Sequence, residues 1–448
     1  MKIEQIYDDA LAHASYAILS QGEVALIDPA RDPQPYLDFA KEHGAKIVAV
    51  FETHPHADFA SSHLELSKQL NIPIYINPKV GVSYDFSPLE HDDEVKVGRA
   101  TIKTLFTPGH SPDHNSYLVL DEEGKEVAVF TGDSLFVGDV GRPDLREGTG
   151  NIQVSRQELA DMMYNTVNNI FNELEDGVTV YPAHGPGSLC GKNMSPDLYS
   201  TIGKEKQNNW AFQIKEKDKF VKSYLEGQSF IPKYFPYEVE LNRKGAISLN
   251  ESINKALTFV DIDQIEDSSL VIDVRQEADF KKSHIQGAIN IQMSSDKAKF
   301  ETWLGSIVSP DEVFYLVADT KTEGEKSVRR AAKIGYETKI KGVILLEEQE
   351  GLDKDKTLDL AHFKKHPEAY NIVDIRNVSE VNDGKFFENA VNIPLPELRE
   401  RTDEIKSDKP VVIHCAGGYR SAAGASIVAS KLNNADVYDL SEAINDFK

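Results

Sequence analysis

Four short segments constrain this chain more than any other feature, because each carries histidine or aspartate just past a strand-like run. His54-Pro55-His56-Ala57-Asp58 follows the apolar run at residues 46–51. His110 ends Thr107-Pro108-Gly109-His110, after the alternating run 100–106. Asp133 ends Thr131-Gly132-Asp133, after 127–130, and His184 sits in Tyr181-Pro182-Ala183-His184-Gly185, after 178–181. The ends of strands are where a sheet gathers side chains from distant parts of a sequence. Imidazole and carboxylate are ligands of zinc and iron chemistry. One such segment alone is weak; four in this order predict a metal centre.

The surrounding pattern fits that placement. Residues 23–28 read as a strand ending before Pro29, 115–120 alternate, and 155–174 have helical spacing of apolar residues. The first part is therefore expected to be a sheet-rich α/β domain with helices on its faces. Residues 193–243 change character: 202–225 are a mostly polar helical stretch, followed by prolines and aromatics, and read as an appendix plus linker.

The rest of the chain repeats itself. Leu270-Val271-Ile272-Asp273-Val274-Arg275 resembles Asn371-Ile372-Val373-Asp374-Ile375-Arg376, 101 residues on. Gly287-Ala288-Ile289-Asn290-Ile291 then matches Asn389-Ala390-Val391-Asn392-Ile393, and Phe314-Tyr315-Leu316-Val317 matches Val411-Val412-Ile413-His414. Each closes on a helical run, so two open parallel α/β domains are expected in tandem. With 448 residues, about three domains is also the prior from length. The expected cuts are 1–243, 244–355 and 356–448.

The ordered ligand set resembles the metallo-β-lactamase superfamily over residues 1–191, which implies an αββα sandwich with the metal at one edge of the two sheets. The family pattern is HxHxDH, and Phe59 stands where the last histidine belongs. His63 is assigned to the following helix, so one metal is expected. The blocks Thr131-Gly132-Asp133-Ser134-Leu135-Phe136 and Gly141-Arg142-Pro143-Asp144-Leu145 are similar to the persulfide dioxygenases of that superfamily. The resemblance implies one Fe(II) held by His54, His110 and Asp133, with zinc as the alternative. Two histidines and a carboxylate form the facial triad of non-haem iron oxygenases. His56, Asp58 and His184 would then orient ligands and bound water. Arg142 is a candidate anchor for a substrate anion, weighed equally against a loop ion pair with Asp139 or Asp144. Glutathione-using relatives carry a tyrosine where this chain has Gly185-Pro186-Gly187, so another thiol such as coenzyme A fits as well.

Only two cysteines occur, Cys190 and Cys415, which excludes a disulfide scaffold and favours a reducing compartment. Cys190, six residues beyond His184, is a candidate sulfur acceptor beside the iron. Cys415 opens Cys415-Ala416-Gly417-Gly418-Tyr419-Arg420 between an apolar strand and a helix. Such a loop turns backbone N–H groups and a helix N-terminus toward the sulfur, and Arg420 can hold an oxyanion. Four residues separate Cys415 from Arg420, one fewer than in cysteine phosphatases. The loop resembles that of the rhodanese sulfurtransferases, which implies a Cys415 persulfide. The first repeat has Ala318 at the matching position and no cysteine, so it is expected to be catalytically silent.

The whole arrangement is similar to bacterial persulfide dioxygenase–sulfurtransferase fusions. It implies oxidation of a low-molecular-weight thiol persulfide by O₂ to sulfite and thiol, with sulfur transfer to sulfite giving thiosulfate. The alternative is a zinc-dependent thioester hydrolase of the glyoxalase II kind with an accessory sulfurtransferase domain. A formal charge of −24 disfavours nucleic acid as a partner. No apolar run suggests a membrane span and no signal peptide is read, so a cytoplasmic location is expected; a homo-oligomer is expected as well.

Overall fold

The computed structural model describes residues 1–146, 153–266, 269–346, 352–432 and 434–448. It separates into two compact units, residues 1–251 with 333–335, and residues 252–332 with 336–448.

Period-two alternation builds the first unit. Along His13–Ser20, Tyr16 and Ile18 enter one apolar cluster while Ala17 and Leu19 enter another. Along Glu23–Ile27, Ala25 and Ile27 join the first cluster, and Val24 and Leu26 the second. Successive side chains of a strand point to opposite faces, so strands apolar on both sides must be covered on both. Six strands form the first sheet, in the order Lys2–Asp8, His13–Ser20, Glu23–Ile27, Lys46–Phe51, Ile74–Ile76, Ser87–Pro88. Six more form the second, in the order Ser200–Thr201, Thr179–Pro182, Glu126–Gly132, Asn115–Leu120, Ala100–Phe106, Glu94–Val97. The inner cluster joins Tyr16, Ile27 and Phe51 of one sheet to Ile102, Tyr117 and Phe130 of the other. Helices Gln34–Glu42 and His63–Leu70 cover the outer face of the first sheet through Tyr36, Phe39 and Leu66. Helix Arg156–Asn169 covers the second through Ala160, Met163 and Val167. The layers are those of an αββα sandwich.

The stretch read as an appendix is part of that sandwich. It breaks into helices Ile202–Asn208, Trp210–Gln213 and Lys217–Leu225, with Phe235–Lys244 further on. Ile202, Phe212, Phe220 and Tyr224 are buried with Met163 and Val180 in the outer core. The excess of lysines hid a narrow apolar stripe. Asn242 goes further: its Nδ2 donates to the carbonyls of His56 (2.9 Å) and Phe59 (2.7 Å), and its Oδ1 accepts from Ser61 N (2.8 Å).

The second unit contains two small parallel α/β domains. One sheet has the order Ile289–Asn290, Leu270–Asp273, Phe314–Ala318, Ile340–Leu345; the other Val391–Asn392, Asn371–Asp374, Val411–His414, Val437–Asp439. All their strand pairs are parallel. The repeat is exact in its polar details. Arg275 donates through its backbone N, Nε and Nη2 to Asp273, at 3.0, 3.0 and 2.7 Å, and Arg376 does the same to Asp374 at 3.0, 3.0 and 2.6 Å. Asn290 and Asn392 each donate to the two carbonyls of their own Asp and Arg. The expected cut between the repeats, at 355/356, falls inside this unit.

Candidate functional site

All six candidate ligands of the first unit are buried at the strand ends from which they were read. His54, His110 and Asp133 each offer one donor atom within 4.8 Å of the others. The Nε2 atoms of His54 and His110 lie 3.9 and 3.6 Å from Asp133 Oδ2. Hydrogen bonds set the tautomers behind these atoms. Asp28 takes the Thr53 hydroxyl proton (2.8 Å), so the Thr53 oxygen accepts from His54 Nδ1 (3.0 Å) and leaves Nε2 as the lone-pair atom. His110 Nδ1 donates to the Arg142 carbonyl (2.8 Å), which does the same for its Nε2. His54 Nε2 and Asp133 Oδ2 are buried without a hydrogen-bond partner. Unpaired buried polar atoms are costly, and two of them converging with a second imidazole fit a divalent transition metal.

The other oxygen of Asp133 accepts from His184 Nδ1 at 2.7 Å, and His184 Nε2 lies 2.8 Å from Asp58 Oδ2. Burial opposes charge on this ring, but Asp133 and Asp58 outweigh it and hold the His184 pKa well above its ordinary range. Burial also opposes charge on Asp133, and His184, His110 and His54 together hold its carboxyl well below the usual range. His56 Nε2 lies 3.2 Å from Asp28 Oδ1, out of hydrogen-bond alignment.

Phe59 fills the place of the missing histidine. Its ring centroid is 3.7 Å from that of His13 and 4.5 Å from that of His56. His63 opens its helix and faces Glu52, 3.6 Å from Oε1. Three further donor groups nevertheless exist: His56, Asp133 and His184; Asp58, His184 and Cys190; and Asp28, Glu52 and His56. Burial first, then the charges of Asp133 and Asp58, push the Cys190 thiol well up from its ordinary range.

Arg142 resolves toward the loop pair. It is 1% exposed; Nε and Nη2 donate to Asp144 at 2.7 Å each, and Nη1 and Nη2 reach Leu189 O, Ser229 and Phe230 O. Its backbone N also donates to Cys190 O (2.8 Å). Its fork is taken up by protein atoms, and its backbone carbonyl and N–H meet His110 and Cys190. Asp139, the other partner considered, instead accepts from Trp210 Nε1 (2.7 Å) and Lys192 N (2.7 Å).

Sequence reasoning missed His13, Asp28, Thr53 and His114. His114 Nε2 accepts from Asp133 N (3.2 Å), and its Nδ1 pairs with Thr107 Oγ1 (2.9 Å). Gly132 makes that approach feasible: its φ is +52°, and a Cβ there would lie 2.5 Å from His114 Nε2. Asp28 and Thr53 flank visible motifs, whereas His13 has no local signal at all.

In the second unit Cys415 is buried at the end of strand Val411–His414, and Gly418 N donates to its sulfur at 3.1 Å. Gly418 has a φ of +107° and caps helix Tyr419–Lys431. Arg420 pairs with both oxygens of Glu380, at 2.7 and 2.6 Å. Tyr419 donates to the Gln292 carbonyl (2.7 Å), while Ala416 and Gly417 form the turn between. In the first repeat, strand Phe314–Ala318 passes almost directly into helix Lys321–Ala332.

Comparison with known proteins agrees with this division. The metallo-beta-lactamase superfamily model matches residues 8–184, and the rhodanese-like domain model matches 261–348 and 359–448. A metallo-beta-lactamase structure from Staphylococcus aureus subsp. aureus COL is 30% identical, covers 77% of this chain and 98% of its own, and superposes with a TM-score of 0.68. The hydroxyacylglutathione hydrolase of Dictyostelium discoideum is 30% identical over 229 residues, 48% of this chain and 78% of its own. The cytoplasmic hydroxyacylglutathione hydrolase of Arabidopsis thaliana is 35% identical over 175 residues, 38% of this chain and 62% of its own. The chain belongs to the metallo-beta-lactamase superfamily, with two rhodanese-like domains following the superfamily domain. Among the described residues, no helix is long and apolar enough to cross a membrane.

Proposed function

We propose that the first unit oxidises a low-molecular-weight thiol persulfide with O₂, and that Cys415 transfers sulfane sulfur to the sulfite produced. The observation that carries this reading is the donor set of His54, His110 and Asp133, two imidazoles and one carboxylate, each held by a partner of its own. These residues would hold one Fe(II), which supplies O₂ activation and a site for sulfur. Asp28 and Thr53 fix the His54 tautomer, and the Arg142 carbonyl fixes that of His110. His184, between Asp133 and Asp58, is placed to hold or pass a proton at Nε2. Phe59 puts an apolar ring against His13 and His56, where the last histidine of the family pattern would stand. Cys190 lines the site beside Asp58 and His184. One persulfide, one O₂ and one water yield one thiol and one sulfurous acid, which ionises to sulfite. In the second unit, the Cys415 thiolate attacks the outer sulfur of a second persulfide molecule, whose S–S bond breaks to release the small thiol as thiolate. Sulfite then attacks the outer sulfur of the Cys415 persulfide, that S–S bond breaks, thiosulfate leaves, and Cys415 keeps the electron pair as thiolate.

A zinc-dependent thioester hydrolase is the second reading. The names of the Dictyostelium and Arabidopsis relatives favour it, as does the extra donor group Asp58, His184 and Cys190. Metal analysis with an O₂ electrode separates the two. The expected result is iron near one per chain, O₂ uptake with a persulfide of coenzyme A or another small thiol, and sulfite as product. Asp133→Ala should lower O₂ uptake by about a hundredfold or more, while Cys415→Ser spares it and abolishes sulfur transfer. Zinc alone, with thioester cleavage and no O₂ uptake, would overturn the oxygenase reading.

A further inference from the structure

Arg420 closes the Cys415 loop and interacts with its sulfur, and the rest of its guanidinium meets two further partners. Its terminal nitrogens meet both oxygens of Glu380 at 2.7 and 2.6 Å. Glu380 belongs to the same repeat, in helix Val378–Asn382, and its own placement is fixed by a capping box in which it accepts from Asn377 N at 3.0 Å. The guanidinium carbon lies over the Trp303 ring, 5.6 Å from its centroid. Trp303 is in helix Phe300–Ile307 of the silent repeat. The neighbouring residue of the loop, Tyr419, is moored to the Gln292 carbonyl of the same silent repeat at 2.7 Å. Gln292 is itself buried.

A planar guanidinium binds an oxyanion best through a bidentate fork. Here the fork belongs to a carboxylate, so the charge of Arg420 is partly neutralised before any anion arrives. We propose that Glu380 and Trp303 form a clamp that positions Arg420 and screens its charge, so that the silent repeat and Glu380 set which acceptors reach the Cys415 sulfur. An anionic acceptor such as sulfite then finds the backbone N–H groups of the loop and a guanidinium that still faces the Cys415 sulfur but whose charge Glu380 has partly neutralised. The cost of anion binding is raised, and neutral thiols lose much less. Trp303 and Glu380 are positioning residues: they act through Arg420. The silent repeat thereby has a task although it has no cysteine.

The choice of sulfite as acceptor rests on the function proposed above, but the clamp can be read without any sulfur transfer. Cys415 is alkylated with iodoacetate, an anion, and with iodoacetamide, its neutral counterpart, and the ratio of rates is followed on the Cys415 peptide by mass spectrometry in the full chain. Glu380→Gln keeps the shape and removes the charge. It should raise the iodoacetate-to-iodoacetamide ratio roughly threefold or more, with the gain suppressed by salt. It should also lower the KM for sulfite more than the KM for dithiothreitol. Trp303→Ala should lower kcat with both acceptors, and Trp303→Phe, which keeps a ring under the guanidinium, should restore most of it. A ratio in Glu380→Gln equal to that of the native protein would overturn the clamp, as would Trp303→Phe being as impaired as Trp303→Ala. If the ratio shifts while the native protein moves no sulfur to either acceptor, the clamp stands and the sulfurtransferase reading falls.

Discussion

At the scale of single residues, the metal-donor groups depend on side chains that never touch the metal position. Thr53 has one proton and gives it to Asp28, and that choice alone leaves His54 Nε2 free to donate. Arg142 plays the corresponding part for His110, through its carbonyl, and is anchored by a buried ion pair with Asp144. Arg142→Met removes every donor of that side chain and leaves Asp144, only 13% exposed, without its fork. Breaking a buried pair from one side costs about 3 kcal/mol. The expected outcome is a denaturation midpoint lowered accordingly, together with metal affinity weakened by about tenfold as the Arg142 carbonyl drifts from His110. Titration with a competing chelator measures the second effect. A variant that binds metal normally and fails only with substrate would instead return Arg142 to the anchoring role that its sequence position suggested.

At the scale of elements, the loop after strand Val411–His414 shows what backbone conformation contributes. Gly418 presents its N–H to the Cys415 sulfur at a φ of +107°. An added Cβ would lie 2.9 Å from Glu442 N and 3.0 Å from Ser441 C, both backbone atoms that cannot swing aside. Gly418→Ala should therefore destabilise the second unit by about 1–3 kcal/mol and reduce sulfur transfer further, because the displaced N–H no longer faces the sulfur. Calorimetry and a sulfurtransferase assay on the same preparation check both. This loop was legible in the sequence because its glycines, cysteine and arginine are contiguous. So were the four strand ends of the first unit, where motif and strand adjoin. His13 was not: it meets His184 across an isolated bridge and stacks on Phe59, relations that arise only when distant strands pair. Asn242 was hidden for the same reason, and the helices around it looked like a linker because charged lysine stems masked the few apolar positions that count. Local chemistry is written locally, whereas the residues that brace it are chosen by topology.

At the scale of the molecule, two sites with different needs reside in two compact units, and this has a measurable consequence. The donor atoms of the first unit are buried histidines and carboxylates whose unpaired atoms favour the folded state only when a cation joins them. A metal that binds the folded unit alone stabilises it by mass action, about 4 kcal/mol when its free concentration is a thousand times its dissociation constant. The second unit contains one cysteine and an arginine already paired with a carboxylate, and among the described residues no metal-donor group lies in it. Unfolding of such a chain is not a single two-state event. Scanning calorimetry should therefore resolve two transitions, and removing the metal with a chelator should lower only one of them. Sulfur transfer by Cys415 should survive the treatment, while chemistry at the first unit stops and returns when metal is restored. If chelation lowered both transitions together and abolished transfer by Cys415, the two units would be one cooperative structure, and the metal would be required by the entire molecule rather than by the sandwich that binds it.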